Sequence, residues 1–196
     1  MSESTSASCR ASVKRWALSC AGPALDNAQR FTEARLLADI DSLTGLQNQR
    51  CFHEYLARES SRARRYEREL SLMVFDLDDF KSINDRLGHL NGDVVLAQVA
   101  ERVRRVVRSA DIACRIGGDE FAVIMPETSI EDAEHLANRI ARTVAGRPLG
   151  QGENLYVSAG VAQLRDEDEG NALFERADEA LYRAKQGGKA RTIAAS

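Results

Sequence analysis

The sequence predicts an α/β (α+β) fold in which a mixed, mainly antiparallel central sheet is flanked by helices. Apolar runs of β type alternate with amphipathic helical patterns along the chain. Two of the runs are joined by a short turn with two glycines, which is typical of a hairpin, whereas others are separated by a helix that serves as a crossover. With 196 residues and 43% hydrophobic content, the chain can bury a sizeable core in one domain.

The N-terminal part of the chain differs in composition from the rest. Residues 1–24 are rich in serine and alanine, and we expect a disordered segment there. From Leu25 to Ile40 the apolar positions fit a linker helix, which is a candidate for dimerisation. Residues 41–196 carry all the motifs discussed below and are predicted to form a single domain.

The first half of this domain shows two helical patterns around a short strand. A helix is predicted from about Arg50 to Glu67, and the apolar run at 72–75 predicts a strand. A further helix, with apolar side chains at helical spacing, is predicted from about Asp93 to Arg108.

The second half begins with the predicted hairpin, 112–125, whose turn holds the two glycines. Ser129 then provides an N-cap signal for the next helix. The run at 155–162 predicts a strand, and 172–188 predicts a last helix that two glycines terminate.

Composition excludes several classes of protein. A net charge of −3 argues against a general polyanion binder, and the arginine run 62–68 is interleaved with glutamates, as on a solvated helix face. No apolar run approaches the ~20 residues of a membrane span. The four cysteines form no C-x-x-C pair and suggest no zinc site. We therefore expect a cytoplasmic chain with neither nucleic acid nor membrane as a partner.

The first acidic cluster is "FDLDDFKSIND". Asp76 stands at the end of the predicted strand, and Asp78 points to the same side of an extended chain because side chains alternate. Strand ends also collect solvated polar residues, so a cluster without a function is the alternative interpretation.

The second acidic cluster is "RIGGDEF", where Asp119 and Glu120 are adjacent and repel each other unless a cation lies nearby. The glycines supply positive φ to the turn and allow a phosphate to approach the backbone. If the two clusters lie on neighbouring strands, their carboxylates converge. Oxygen ligands without cysteine or histidine favour Mg²⁺, Mn²⁺ or Ca²⁺ over zinc. The sequence therefore predicts a hairpin that binds metal and phosphate.

Four motifs in order resemble one family. "RIGGDEF" carries the signature of the GGDEF domain, the diguanylate cyclase family. "DSLTGLQNQR", "DLDDFKSINDRLGHLNGD" and "ADEALYRAK" are similar to other motifs of that family, and the match covers about 41–191. The resemblance implies a fold like the palm of nucleotidyl cyclases.

The resemblance also implies roles for the acidic residues. Asp76 and the Leu77 carbonyl would bind Mg²⁺ (or Mn²⁺), with two ions in each half-site, and Asp119 and Glu120 would complete the metal site. Asp119, Glu120 and Lys81 would be catalytic, one carboxylate acting as base for the 3′-hydroxyl.

A larger set would bind the substrate. Asn84 and Asp93 would read the guanine edge, although Asn84 also suits a turn and Asp93 a helix N-cap. Lys189 stands where the family often has arginine, which can form a two-pronged phosphate contact that lysine cannot. Phe80 is also typical of packing, and His89 of a structural turn. The substrate set is Phe80, Lys81, Asn84, His89, Asp93, Gly117, Gly118, Lys185 and Lys189.

"RSAD" resembles the inhibitory product site of the family. Arg108 would stack on guanine and pair with phosphate, Asp111 would accept from the base, and Arg139 would be a secondary arginine of the site. The alternative for Arg108 is a positive charge favoured at a helix C-terminus.

The resemblance implies a diguanylate cyclase that condenses two GTP into cyclic di-GMP with release of two pyrophosphates. Each copy would bind one GTP, so the active form would be a homodimer, and cyclic di-GMP would bind the inhibitory site. The alternative function is a catalytically weak or inactive module that acts as a cyclic di-GMP receptor. A cyclase that accepts ATP in part is a third interpretation.

Overall fold

The computed structural model describes residues 39–168 and 170–195. The predicted segment 1–24 and nearly all of the predicted helix from Leu25 to Ile40 lie outside these residues. Ile40 itself is not helical, because it forms an antiparallel bridge with Gln47.

Five helices and five strands make up the described part of the chain. The helices are α1 (Gln49–Tyr66), α2 (Phe80–Leu87), α3 (His89–Val106), α4 (Ile130–Ala145) and α5 (Ala172–Gln186). The strands are β1 (Leu70–Leu77), β2 (Ile112–Arg115), β3 (Glu120–Pro126), β4 (Val157–Gln163) and β5 (Thr192–Ala194).

The strands form one sheet in the order β2-β3-β1-β4-β5. The pairs β2–β3, β3–β1 and β1–β4 are antiparallel, and only β4–β5 is parallel. The predicted mixed, mainly antiparallel sheet flanked by helices is thus confirmed.

The central strand β1 is buried along its whole length, because helices cover both faces of the sheet. Met73 and Phe75 point into the core beneath α3 and α4, whereas Leu72 and Val74 point into the core beneath α1 and α5. A strand covered on both faces needs apolar side chains at consecutive positions, which explains the unbroken run in the sequence. The ring of Phe75 stacks on that of its cross-strand partner Phe121, with centroids 5.2 Å apart.

A capping side chain starts some of the described helices and not others. The Ser129 side chain accepts a hydrogen bond from Asp132 N, so the predicted N-cap of α4 is confirmed. The predicted start of α3 is wrong: the helix begins at His89, after Gly88 with φ of 81°. Asp93 therefore lies inside α3, and its interpretation as an N-cap is wrong as well.

Candidate functional site

The two acidic clusters meet at one end of the sheet. Asp76 in β1 is the direct cross-strand partner of Glu120 in β3. Directly opposed residues of an antiparallel pair project to the same face, with Cβ atoms roughly 5 Å apart. In addition, Leu77 N donates to Asp119 O at 3.3 Å. The expectation that the strand end and the hairpin are neighbours is confirmed.

The Asp76 carboxyl is buried between a lysine, which favours its charged form, and two acids, which disfavour it. The residue is 7% exposed, and Lys185 Nζ lies 2.8 Å from its Oδ2. Burial raises the pKa of Asp76 to about 6, and the charges of Asp119 and Glu120 add to this rise, while the bond from Lys185 opposes it. Since Asp78 is also only 8% exposed, the interpretation of this cluster as a solvated strand end is wrong.

The donor set suits a hard divalent cation. Among the residues that the structure describes, no group of three or more His, Cys, Asp or Glu side chains is arranged to hold a metal ion. Mg²⁺ does not need such a group, because it typically binds one or two carboxylates and completes its shell with water and phosphate oxygens. Asp76 and Glu120 provide such a pair, beside the Leu77 carbonyl, and the ammonium of Lys185 already provides a positive charge at Asp76.

The hairpin differs from the expected glycine turn. Segment 116–119 connects β2 to β3, and Ile116 N donates to Glu120 O at 3.0 Å. Neither Gly117 nor Gly118 has a positive φ, so the prediction that the glycines supply positive φ to the turn is wrong: the connection is longer than a two-residue turn. The absence of side chains at these two positions instead leaves room around the turn. A Cβ at Gly117 would lie 2.6 Å from the Glu120 carboxylate, whereas one at Gly118 would have no neighbour within 4 Å.

Arg115 holds the hairpin in place, a role that sequence reasoning missed. Its guanidinium donates to the carbonyls of Gly117 and Gly118, and its Nη1 lies 3.2 Å from the Asp41 carboxylate. Asp41 also accepts from the backbone and hydroxyl of Thr44. Although burial would raise the pKa of Asp41, these bonds and the charge of Arg115 lower it. Arg115 and Asp41 both belong to quoted motifs, but 74 positions separate them and no local spacing reveals the contact.

The three lysines of the predicted site lie on two helices and the loop that follows the second of them. Lys81 is exposed in the first turn of α2. Lys185, in the last turn of α5, contacts Asp76, and Lys189, in the loop after α5, contacts the Asp79 carboxylate at 2.6 Å. The end of α5 is therefore joined to the end of β1 by two ion pairs.

The predicted guanine-binding residues lie where α2 meets α3. The Asn84 carboxamide fills the space that a Cβ at Gly92 would need, since that Cβ would lie 1.8 Å from Asn84 Oδ1. This oxygen is buried and accepts no hydrogen bond from the described residues. Asp93, next to Gly92, is exposed, as is His89. Phe80 is 6% exposed and packs in the core beneath α3 and α4.

The three residues of the predicted product site line one cavity of about 310 Å³. Arg108 and Asp111 form a tight turn in which the Asp111 carboxylate accepts from Arg108 N at 2.8 Å. Arg139 approaches from α4 and donates to the carbonyl of Val106. The structure thus brings together residues that lie 31 positions apart in the sequence, from Arg108 to Arg139.

A known protein family matches most of the chain. The family model described as diguanylate cyclase, GGDEF domain, matches residues 38–191. The chain belongs to this GGDEF family. The resemblance found in the four sequence motifs is therefore confirmed.

Individual relatives agree with the family. Over 162 residues the GGDEF chain is 42% identical to diguanylate cyclase DgcP of Pseudomonas aeruginosa, covering 81% of this chain and 24% of the relative. It is 42% identical to the response regulator PleD of Caulobacter vibrioides, covering 78% of this chain and 35% of PleD. The chain thus spans about a quarter to a third of these two proteins.

A solved structure shows the same architecture. The coiled coil and GGDEF domain of DgcB from Caulobacter crescentus, in complex with c-di-GMP, matches with a TM-score of 0.86 and 32% identity. The match covers 94% of this chain and 100% of that one. Within the described residues of the GGDEF chain, no helix combines the length and apolarity needed to cross a membrane.

Proposed function

We propose that the chain is a diguanylate cyclase, which condenses two GTP into cyclic di-GMP and releases two pyrophosphates. The observation that carries the proposal is the cross-strand pair of Asp76 and Glu120 at the end of the sheet. A buried carboxyl with a pKa of about 6, facing a second carboxylate, gains most from a cation that neutralises both. The divalent ion that accompanies GTP would supply such a charge.

The residues of the acidic end fit magnesium or manganese. Asp76, the Leu77 carbonyl and the hairpin carboxylates Asp119 and Glu120 would hold up to two ions in each half-site. The bound metal would activate the attacking hydroxyl and neutralise charge on the phosphates. Lys185 would leave Asp76 when the metal binds, and its ammonium would then be available to phosphate oxygens.

The remaining site residues bind and orient the substrate. Lys81, Lys185 and Lys189 would attract the triphosphate, and the open space beside Gly118 allows a phosphate to reach the backbone. Asp93 would accept hydrogen bonds from the guanine edge, beside the Asn84 carboxamide. Glu120 or Asp119 would accept the proton of the 3′-hydroxyl. Phosphoryl transfer of this kind depends mainly on positioning and electrostatics.

The chemistry needs two facing sites. Each 3′-hydroxyl attacks the α-phosphate of the other nucleotide, so two copies related by a two-fold axis would complete the reaction. The predicted helix from Leu25 to Ile40 is our candidate for pairing the copies, although it lies almost wholly outside the described residues.

Product inhibition is the proposed role of the cavity lined by Arg108, Asp111 and Arg139. Two guanidinium groups and a carboxylate match the phosphates and guanine edges of cyclic di-GMP. The related DgcB structures contain c-di-GMP, which supports the assignment. The alternative function, a receptor without turnover, would use this same cavity.

The test is incubation of the chain with GTP and Mg²⁺, followed by mass spectrometry of the nucleotides. We expect cyclic di-GMP and pyrophosphate, with ATP giving little product. Glu120→Gln should lower turnover by about 100-fold or more, since a general base typically contributes that much. Glu131→Gln, on the exposed first turn of α4, is the matched control and should leave turnover unchanged. Binding of cyclic di-GMP without any turnover would support the receptor instead.

A further inference from the structure

The loop after α5 has an unusual backbone. Gly188, Lys189 and Ala190 have φ values of 109°, 62° and 51° in succession. Glycine adopts this left-handed region freely, but lysine and alanine do so at a cost, because their Cβ atoms crowd the backbone. Some contact must hold the loop in this conformation.

Asp78 makes one such contact, in addition to the backbone bond from Lys189 N to Ala184 O that closes the end of α5. The Oδ2 of Asp78 accepts a hydrogen bond from Ala190 N at 2.9 Å, and its Oδ1 accepts one from Ser158 Oγ at 2.7 Å. Asp78 is 8% exposed and Ser158 is fully buried, so water does not compete effectively for either bond. The carboxylate thereby joins the strained loop to β4.

Asp78 is itself held firmly. It follows the last residue of β1, and its N donates to Tyr156 O at 3.0 Å. Because Asp78 is fixed to the sheet, its hydrogen bond fixes Ala190 relative to the sheet. The neighbouring residue, Lys189, contacts the Asp79 carboxylate through its ammonium. Lys185 lies at the end of the helix that leads into the loop.

We propose that Asp78 is a positioning residue, which fixes the loop after α5 so that Lys185 and Lys189 face the triphosphate. The inference rests on the proposed function and adds to it. Asp78 does not touch the substrate and acts only through the loop. The contribution of Asp78 to substrate affinity should therefore come from contacts with the β- and γ-phosphates and not from contacts with the base.

The test compares binding of 3′-deoxyGTP and 3′-deoxyGMP in Mg²⁺ by calorimetry, since neither ligand has the attacking hydroxyl. Asp78→Ala should weaken 3′-deoxyGTP binding about tenfold, the size of one lost charge-assisted contact, and leave 3′-deoxyGMP binding unchanged. Asp78→Asn keeps an oxygen that can accept from Ala190 N and should restore most of the affinity. Ser158→Ala, which removes one of the two bonds, should give a smaller loss of the same kind.

Asp168→Ala is the matched control. Asp168 is also a buried carboxylate, 7% exposed, which accepts from the backbone of a loop through Arg165 N. It lies beyond Gln163, whose partner Ser71 is near the opposite end of β1. Asp168→Ala should lower stability without changing the ratio of the two affinities. Hydrogen exchange of the Ala190 amide should accelerate in Asp78→Ala and not in Asp168→Ala.

Two results would overturn the inference. Equal losses for both ligands in Asp78→Ala would show that Asp78 merely stabilises the fold, and unchanged affinities for both ligands in the Asp78 and Ser158 variants would show that the loop does not depend on Asp78. A wild-type chain that fails to bind 3′-deoxyGTP in Mg²⁺ would contradict the proposed function, and the inference with it.

Discussion

At the scale of single residues, burial outweighs ion pairing at Asp76. The lysine at 2.8 Å favours the charged carboxylate, but removal from water and the two neighbouring acids favour the neutral acid, and the pKa rises from 3.8 to about 6. Folding therefore takes up a proton between these two pH values. Below pH 4 the charge imposes no cost on the fold, and the cost grows as the pH rises towards 6 and is complete above it.

We predict that Asp76→Asn stabilises the chain at pH 8 in EDTA, by about 2 kcal/mol, because the variant buries no charge. The gain should shrink as the pH falls from 6 to 4, where the wild-type carboxyl is protonated. Urea unfolding curves at several pH values measure it. The exposed Asp166→Asn should show no such pH dependence, and equal stabilities of Asp76→Asn and wild type at pH 8 would contradict the proposed cause.

At the scale of secondary structure elements, a single glycine lets β4 and α5 approach each other. Gly160 lies opposite Val74 of the central strand. A Cβ there would lie 2.0 Å from Ala177 O and 2.3 Å from Leu181 N. Since both atoms belong to the helix backbone, no side-chain rotation can relieve the clash. Only a displacement of α5 would, and α5 carries Lys185.

Gly160→Ala should therefore destabilise the chain by about 3 kcal/mol, at the upper end of the cost of overpacking. Gly118→Ala is its control for stability, because φ there is not positive and a Cβ would meet no atom within 4 Å. Chemical unfolding monitored by circular dichroism compares the two. A Gly160→Ala chain as stable as the wild type would mean that α5 shifts without cost.

Some secondary structure elements could be predicted from local sequence patterns, and others could not. The central strand, the Ser129 cap and the acidic hairpin follow from local patterns, and these predictions are confirmed. The start of α3 does not follow from a local pattern. Gly88, which precedes the helix, has a positive φ and no side chain that could cap it. The ion pair between Arg115 and Asp41 could not be predicted from local sequence patterns either, since it depends on how distant segments pack.

At the scale of the whole molecule, the two proposed ligand sites lie on different parts of the chain. The acidic site is at the end of β1 and the hairpin, whereas Arg108 and Asp111 precede β2 and face α4. A substitution in the cavity is therefore expected to alter the proposed inhibition without changing the carboxylates that we propose as metal ligands. This separation makes the product site testable by itself.

We predict that Arg108→Ala raises the cyclic di-GMP concentration needed for half-inhibition by about tenfold or more, since a charge-assisted contact with phosphate is lost. Turnover at low product should remain. Arg105→Ala, three residues earlier, is the matched control, because among the described residues the ion pair of Arg105 is with Glu101 on the same helix. Initial rates with added cyclic di-GMP measure the effect, and unchanged inhibition in Arg108→Ala would remove the cavity from the proposal.

The pairing of Asp76 with Glu120 carries a consequence for how such chains tolerate insertions and deletions. The ladder of β1 and β3, in which the stacked rings of Phe75 and Phe121 form the pair next to the two acids, holds Asp76 opposite Glu120. A change in the length of 116–118, which precede the last ladder bond from Leu77 N to Asp119 O, would leave Asp76 and Glu120 in register. One residue gained or lost inside either strand would instead send one acid to the opposite side of the sheet.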